Sequence, residues 1–285
     1  MKVKNIAALC AAVALSVTMC GCGAATASRE DDDFAAELPG EDIELPNEEP
    51  VEQPEPEFPA IELPKPDPEP EPPKVETVNY ISVNSDGVNI RSGSGVSYPV
   101  VGTAERKTLY AMLGEIDGWY KTYYKNKTAY ISKKYCVVVE MESAEEDVEA
   151  VIAEGTKCLG VPYVYGAVRL HDGSGRMLSG FTKNAFDCSS LMQYMFYNGA
   201  DKLLQVNTRT QIKQGTTVSK AQLKRGDLIF FTNASRKNNK GLERVGHVAI
   251  YLGDNYILHT ASDYAKIEQI SSTRWSYYIQ TQRMF

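Results

Sequence analysis

Cys188, in "AFDCSSLMQYMF", and His247 and His259, in "RVGHVAIYLGDNYILHTAS", are the residues whose types and spacing could do chemistry together. A thiol becomes a nucleophile when a base takes its proton and a further polar group holds that base in place. The chain has three histidines, so two of them on one short segment carry information. What must be asked is whether the local elements can bring the three side chains together.

Leu191, Met192, Met195 and Phe196 follow helical spacing, which predicts a helix that Gly199 ends and that places Cys188 at its N-terminus. Unpaired N–H groups and the positive end of the helix dipole there lower a thiol from about 8.5 toward neutrality. The same N–H groups could hold the oxyanion of an acyl-transfer intermediate. On its own this segment favours a packed residue, because cysteine is among the most buried types. The histidines lie on two alternating runs around Gly253-Asp254-Asn255, a hairpin signal. A three-residue loop puts Ala249 opposite His259 and His247 opposite Ala261, so both imidazoles share a face; a two-residue loop puts them on opposite faces. The alternative is two unrelated polar residues on a half-exposed hairpin.

The remaining elements of 143–285 fit around these. "SAEEDVEAVIAEGTKCLG" reads as an amphipathic helix, opened by Ser143 and Glu146 in capping-box spacing and stopped near Gly160. Two polar insertions follow, one from about Arg169 to Asn184 and one reading "TNASRKNNKGLER"; both could wall or lid a cleft. His171, in the first, is expected to face solvent. Asp227 of "RGDLIFF" reads as a turn residue before a strand rather than an acid catalyst.

Ahead of this part, 77–140 shows short β-rich runs between turn signals, the pattern of a small antiparallel barrel. Trp119 and Tyr120 fit either its core or a ligand face. Residues 30–76 hold eighteen acidic residues against Lys65 and Lys74, and twelve of the fourteen prolines, so 23–76 reads as a disordered, extended linker. Taking its −16, and the +3 of the first 29 residues, out of the overall −7 leaves 77–285 at +6. That suits a polyanionic wall environment, and no aromatic-interleaved basic patch argues for nucleic acid.

The chain opens with Lys2 and Lys4 and an apolar run from Ile6 to Met19, the layout of an export signal and too short for a permanent span. Gly21 before Cys22 matches a bacterial lipoprotein signal, with Cys22 acylated in preference to Cys20. The signal peptide is therefore placed at 1–22, and the protein is expected at the cell membrane facing the wall, or secreted. Of six cysteines, Cys136, Cys158 and Cys188 remain beyond it. That number is odd; a Cys136–Cys158 bridge is conceivable, and no spacing suggests a metal site.

Two resemblances follow from these motifs. "GVNIRSGSGVSYPVVGTA" and "GEIDGWYKTYYKNKTAYISKKY" resemble a bacterial SH3 domain. "GVPYVYGA", "FDCSSLMQYMF", "LKRGDLIFF" and "GHVAIYLGDNYILHT", in that order, resemble the NlpC-type family of papain-like cysteine peptidases, over nearly all of 145–285. The second resemblance implies an α+β fold, helices packed on an antiparallel sheet at 141–285, behind the SH3-like barrel. It implies hydrolysis of peptidoglycan stem peptides or muropeptides at the γ-D-glutamyl–diamino acid bond, with Cys188 as nucleophile, His247 as base and His259 orienting it. It further implies that Asp187 and Ser189 hold the amino end of a peptide and that Tyr163 lines the site. No cofactor or metal is required, and a monomer is expected. The usual D-C-S-G reads D-C-S-S here. An inactive wall-binding scaffold, or an amidase or acyl-transfer enzyme on the same triad, are the competing readings.

Overall fold

The computed structural model describes residues 76–285; the export signal, Cys22 and the acidic tract up to residue 75 lie outside them. The β-rich runs become β1 (Thr77–Val83), β2 (Val88–Arg91), β3 (Val100–Ala104), β4 (Leu109–Ala111), β5 (Gly114–Ile116), β6 (Trp119–Tyr124), β7 (Lys127–Ser132) and β8 (Cys136–Glu142). Along β6 the pleat buries Tyr120, Thr122 and Tyr124 in alternation, which assigns Tyr120 to the core and leaves Trp119 half-buried. Strands β3-β2-β7-β6-β5 form one antiparallel sheet in that order.

The second part contributes α1 (Glu146–Lys157), α2 (Cys188–Ala200), α3 (Thr208–Gln211), β9 (Thr216–Val218), β10 (Leu228–Phe231), β11 (His247–Gly253), β12 (Tyr256–Ala261), β13 (Tyr264–Gln269), α4 (Ser272–Ser276) and β14 (Tyr278–Arg283). Its strands join β1, β4 and β8 in a nine-stranded sheet ordered β8-β1-β4-β13-β12-β11-β10-β14-β9. The seam is the pairing of Leu109 with Ile267. The stretches read as 77–140 and 141–285 thus share one sheet, and β8 runs across that boundary. Arg225 braces the join: it donates to Tyr80 Oη at 2.8 Å, to both oxygens of Glu149 at 2.6 and 2.8 Å, and to Leu252 O at 2.6 Å. Buried at 6% side-chain exposure, it leaves no donor facing apolar surroundings alone.

Period-two alternation sorts the central strands between two layers. Leu228, Phe230, Val248 and Ile250 pack with α1 and α2, while Ile229, Phe231, Ala249 and Ile257 pack with Trp275 and Tyr277 on the opposite face. Helix α1 starts at Glu146 without a side-chain cap; Ser143 instead donates to Glu76 O, and the acidic Glu146, Asp147 and Glu149 complement the dipole. Helix α2 runs through Gly199 to Ala200 and ends at Asp201 in the left-handed region. Gly199 is there for close approach rather than termination, since a Cβ on it would lie 2.5 Å from Val151 Cα.

The first insertion is packed, which overturns the expectation for His171. Its side chain is fully buried against Tyr197, accepts Gly173 N–H at Nδ1, and is pushed below its ordinary value by burial against the opposing Asp172 charge. Phe181 stacks on Tyr194, so helix α2 supplies an apolar floor that draws the polar loop down. Cys136, Cys158 and Cys188 are all free thiols. Asp227 is buried in a two-pronged pair with Arg283 and accepts Lys224 N–H, a turn-fixing role.

Candidate active site

Cys188 is the first residue of α2, and Asp187 is its cap. Asp187 Oδ1 accepts Ser190 N–H at 2.8 Å and Ser190 Oγ accepts Asp187 N–H at 2.9 Å, a reciprocal capping box. Cys188 is 7% exposed. Burial, helped by the Asp187 charge, pushes it up to about 12 against hydrogen bonds from the Val248 and Ser189 N–H groups. The helix terminus therefore does not win: desolvation of the thiolate outweighs the donors aimed at it. The shift favours a neutral thiol at rest.

The hairpin carrying the histidines has a two-residue turn, Asp254-Asn255, both at positive φ. Taken alone that turn would split them between faces. A bulge in β11 between Tyr251 and Gly253 adds one residue and restores the pairing Ile250 to Leu258 and Tyr251 to Ile257. The register is the one expected of a three-residue loop, reached by a different route. His247 Nε2 lies 3.0 Å from His259 Nδ1, and His259 Nε2 lies 2.9 Å from Glu268 Oε1 on β13.

The charges fix how protons sit along this chain. Burial opposes ionisation of Glu268, yet the His259 hydrogen bond and the facing charges outweigh it and hold the carboxyl at about 2. His259 is itself pushed below its ordinary value, by burial first and by Arg274, against the Glu268 hydrogen bond. A neutral His259 cannot supply a charge to Glu268. The cations that do are Arg274, 3.1 Å from Oε1, and Lys266, 3.7 Å from Oε2. An ionised carboxylate only accepts, so His259 donates from Nε2 and is bare at Nδ1. His247 must then donate from Nε2, which leaves its Nδ1 bare and basic. Burial, then His259 and Arg274, push His247 well below its ordinary value and keep it neutral at pH 7.

Cys188 lies where two clefts meet, with Tyr163, Asn233 and Gly246 also lining both. The cleft of about 380 Å³ contains His247, Phe231, Thr232, Arg274 and Tyr277. The cleft of about 500 Å³ contains Arg169, Asp187, Ser189, Arg209 and Arg236. Small-domain residues line neither. Asp187, which lines the larger of these clefts, is already engaged: Oδ1 also accepts Ser189 Oγ–H at 3.0 Å, and Oδ2 accepts Arg169 Nη2 at 2.7 Å. Among the described residues no group of three or more His, Cys, Asp or Glu could hold a metal ion.

Residues 160–284 match the NlpC/P60 family and residues 86–136 the bacterial SH3 domain. The chain carries an NlpC/P60 domain behind a bacterial SH3 domain. It is 33% identical over 137 residues to "Peptidoglycan endopeptidase RipA" of Mycolicibacterium smegmatis, covering 47% of this chain and 25% of that one. It is 29% identical over 157 residues to "Gamma-DL-glutamyl hydrolase" of Bacillus subtilis, covering 54% and 33%. The matches span a third or less of these relatives' own lengths. A solved NlpC/P60 family protein from Bacillus cereus is 21% identical, covering 73% of this chain and 63% of that one, with a TM-score of 0.38.

Within the NlpC/P60 domain, sequence reasoning missed Glu268 and Arg169. Glu268 lies on a third strand, and its link to His259 needs the β12–β13 register, in which His259 pairs with Lys266 and Ile257 with Glu268. Extending the two-on-one-face argument by one strand would have found it. Arg169 sits in the insertion, where no periodicity applies; besides Asp187 it donates to Val206 O, Ala167 O and Ser189 Oγ.

Proposed function

We propose that this chain is a cell-wall cysteine peptidase that hydrolyses peptidoglycan stem peptides at the γ-D-glutamyl–diamino acid bond. Cys188 is the nucleophile, His247 the base, His259 its orienting partner and Glu268 the anchor behind both. One observation carries the reading: the continuous relay from Glu268 through His259 to His247, ending on a bare Nδ1 in a cleft that Cys188 also lines. The γ-D-glutamyl bond is supported by the motif resemblance and by the similarity to a γ-DL-glutamyl hydrolase.

The neutral resting pair makes general-base attack the consistent route. As Sγ bonds to the scissile carbonyl carbon, the thiol proton passes to His247 Nδ1, and the developing imidazolium is steadied through His259 by the Glu268 charge. Backbone N–H groups beside Cys188, including that of Ser189, receive the oxyanion. The carbon–nitrogen bond then breaks and the leaving amine takes the proton from His247. A water gives its proton to His247 as its oxygen attacks the thioester, and the carbon–sulfur bond breaks to restore the thiol and release the acid.

Export, with acylation of Cys22 and the acidic tract as a tether, completes the proposal on the sequence pattern alone. The test is the mass spectrum of a defined γ-D-glutamyl–diamino acid peptide after incubation. Two products summing to the peptide plus one water, absent with Cys188→Ala, are expected; equal release by that variant refutes the nucleophile assignment.

A further inference from the structure

The two clefts flanking Cys188 differ in charge, and the reaction gives each a side. Under the peptidase reading, on which this inference rests, His247 returns its proton to the leaving amine. The amine half of the substrate therefore lies in the cleft that His247 lines, and the acyl half in the other.

That acyl-side cleft holds three arginines and one carboxylate, Asp187, which Arg169 already neutralises. Arg169 is spent on Asp187, Ser189 and two carbonyls. Arg209 and Arg236 are not spent in the same way. They converge on Glu243, with Arg209 Nε 3.5 Å from Oε1 and Arg236 Nη1 3.3 Å from Oε2. Arg236 Nη1 also donates to Glu243 O at 3.1 Å. Glu243 does not line the cleft and its side chain is 66% exposed, whereas those of Arg209 and Arg236 are 34% and 26% exposed. An exposed carboxylate bridging two half-buried guanidinium groups is weakly held and exchangeable. It shows what the pair of arginines accepts.

We propose that Arg209 and Arg236 form a carboxylate subsite on the acyl side of Cys188, with which Glu243 competes from outside the cleft, and that the cleft rejects a free amino end. A γ-linked glutamyl acyl donor keeps its α-carboxylate free beside its amino-bearing carbon, whereas an ordinary α-linked donor has that carboxyl in the scissile bond and an α-linked glutamate offers only its side-chain carboxylate, in a different position. Two guanidinium groups match that carboxylate in charge and planar geometry. An ammonium in the same cleft meets a net positive field and no unpaired carboxylate, because Asp187 is engaged. The preferred donor is thus a γ-glutamyl unit with its α-carboxyl unamidated, on a stem whose amino end is acylated, as when it is still attached to glycan.

Calorimetric titration of the full chain carrying Cys188→Ala reads the subsite without turnover. Three γ-D-glutamyl–diamino acid peptides serve as probes: the N-acetyl α-acid, the N-acetyl α-amide and the α-acid with a free amine. The acid is expected to bind about tenfold or more tighter than the amide, the scale of a hydrogen bond to a charged group. The free-amine peptide should bind severalfold more weakly than its acetylated counterpart. Adding Arg209→Gln and Arg236→Gln should bring acid and amide within twofold, and Glu243→Gln should tighten the acid alone. Equal affinities for acid and amide, a preference that survives loss of both arginines, tighter binding of the free amine, or no binding of any peptide overturns the subsite. Discrimination in binding without hydrolysis by the unsubstituted protein would overturn the peptidase reading and leave the subsite standing.

Discussion

Replacing Glu268 separates the relay from ordinary packing. Its carboxylate is the sole reason that His259 presents a bare Nδ1 and, through it, that His247 is basic at the nitrogen left free for the thiol. Without it, His259 Nε2 lies in a fully buried ring with no acceptor, and the opposite tautomer of both rings becomes competitive. A hydrogen bond to a charged group contributes about 1.5–3 kcal/mol, which converts to a roughly 10- to 150-fold fall in the productive tautomer. Glu268 lines neither cleft, so the loss belongs to kcat with KM nearly unchanged. Glu268→Ala should show the full fall. Glu268→Gln should keep part of the rate, since Arg274 can hold the amide oxygen toward His259. Removing the negative charge also leaves Arg274 and Lys266 facing the histidines unopposed, which lowers both imidazoles further and moves the acid limb of the pH–rate profile to lower pH. Steady-state kinetics across pH 4–9, with thermal melting to correct for unfolded fraction, decides the matter. A kcat within twofold of the parent in Glu268→Ala, or a fall accounted for by melting with an unmoved acid limb, refutes the relay.

Because burial depresses His247 below 6.5 and raises Cys188 to about 12, kcat/KM should hold its plateau from mildly acid pH through pH 9, and iodoacetamide alkylation of Cys188 should rise with pH across 6–9. A pH-independent alkylation rate would instead indicate a resting thiolate–imidazolium pair. Gly199→Ala places a methyl against the α1 backbone at 2.5 Å from Val151 Cα, and urea unfolding should register a loss of about 1–3 kcal/mol or more; an unchanged midpoint would show that α1 and α2 can separate freely. In a bacterial host, palmitate label should enter the chain and disappear with Cys22→Ser while persisting with Cys20→Ser, and the reverse pattern would move the acylation site.

What the sequence made legible follows from how far each feature depends on local periodicity. Cys188 at a helix start and the two histidines on a hairpin are short-range features, readable from 3.6- and two-residue spacing. Even there the turn was misread, because the bulge at Leu252 is invisible to alternation and supplies the residue that the loop lacks. Gly199 carries the same signal whether it stops a helix or admits a neighbour, and only the position of Val151 distinguishes the two. Long-range facts were closed to it. The Leu109–Ile267 pairing that fuses the SH3-like part to the NlpC/P60 part of the sheet joins strands far apart in sequence, and Glu268 acquires meaning only from the strand beside it. The direction of the Cys188 shift was missed for a different reason: helix ends favour a thiolate only if solvent or charge offsets desolvation, and burial is a tertiary quantity.

The division of residues between frame and insertion has a physical consequence. Cys188, His247, His259 and Glu268 stand on α2, β11, β12 and β13, elements locked by a core on both faces of the sheet, so the relay distances are set by backbone pairing. Arg169 and Arg236 come from the two insertions, and Arg209 from the short helix between them. Around Arg209 and Arg236 the chain is held by local polar contacts, Asn207 capping Arg209 and Thr210 N–H and Asn233 accepting from Arg236 N–H. Contacts of that kind can be rewired at modest cost, whereas a one-residue slip in β11 or β12 would turn the histidine that strand carries to the wrong face. On the proposed reading, chemistry and selectivity therefore sit on parts of the chain with different tolerance to change. The small domain belongs with the first: among the described residues it lines neither cleft, and its strand pairing to the NlpC/P60 part of the sheet falls on Ile267, next to Glu268.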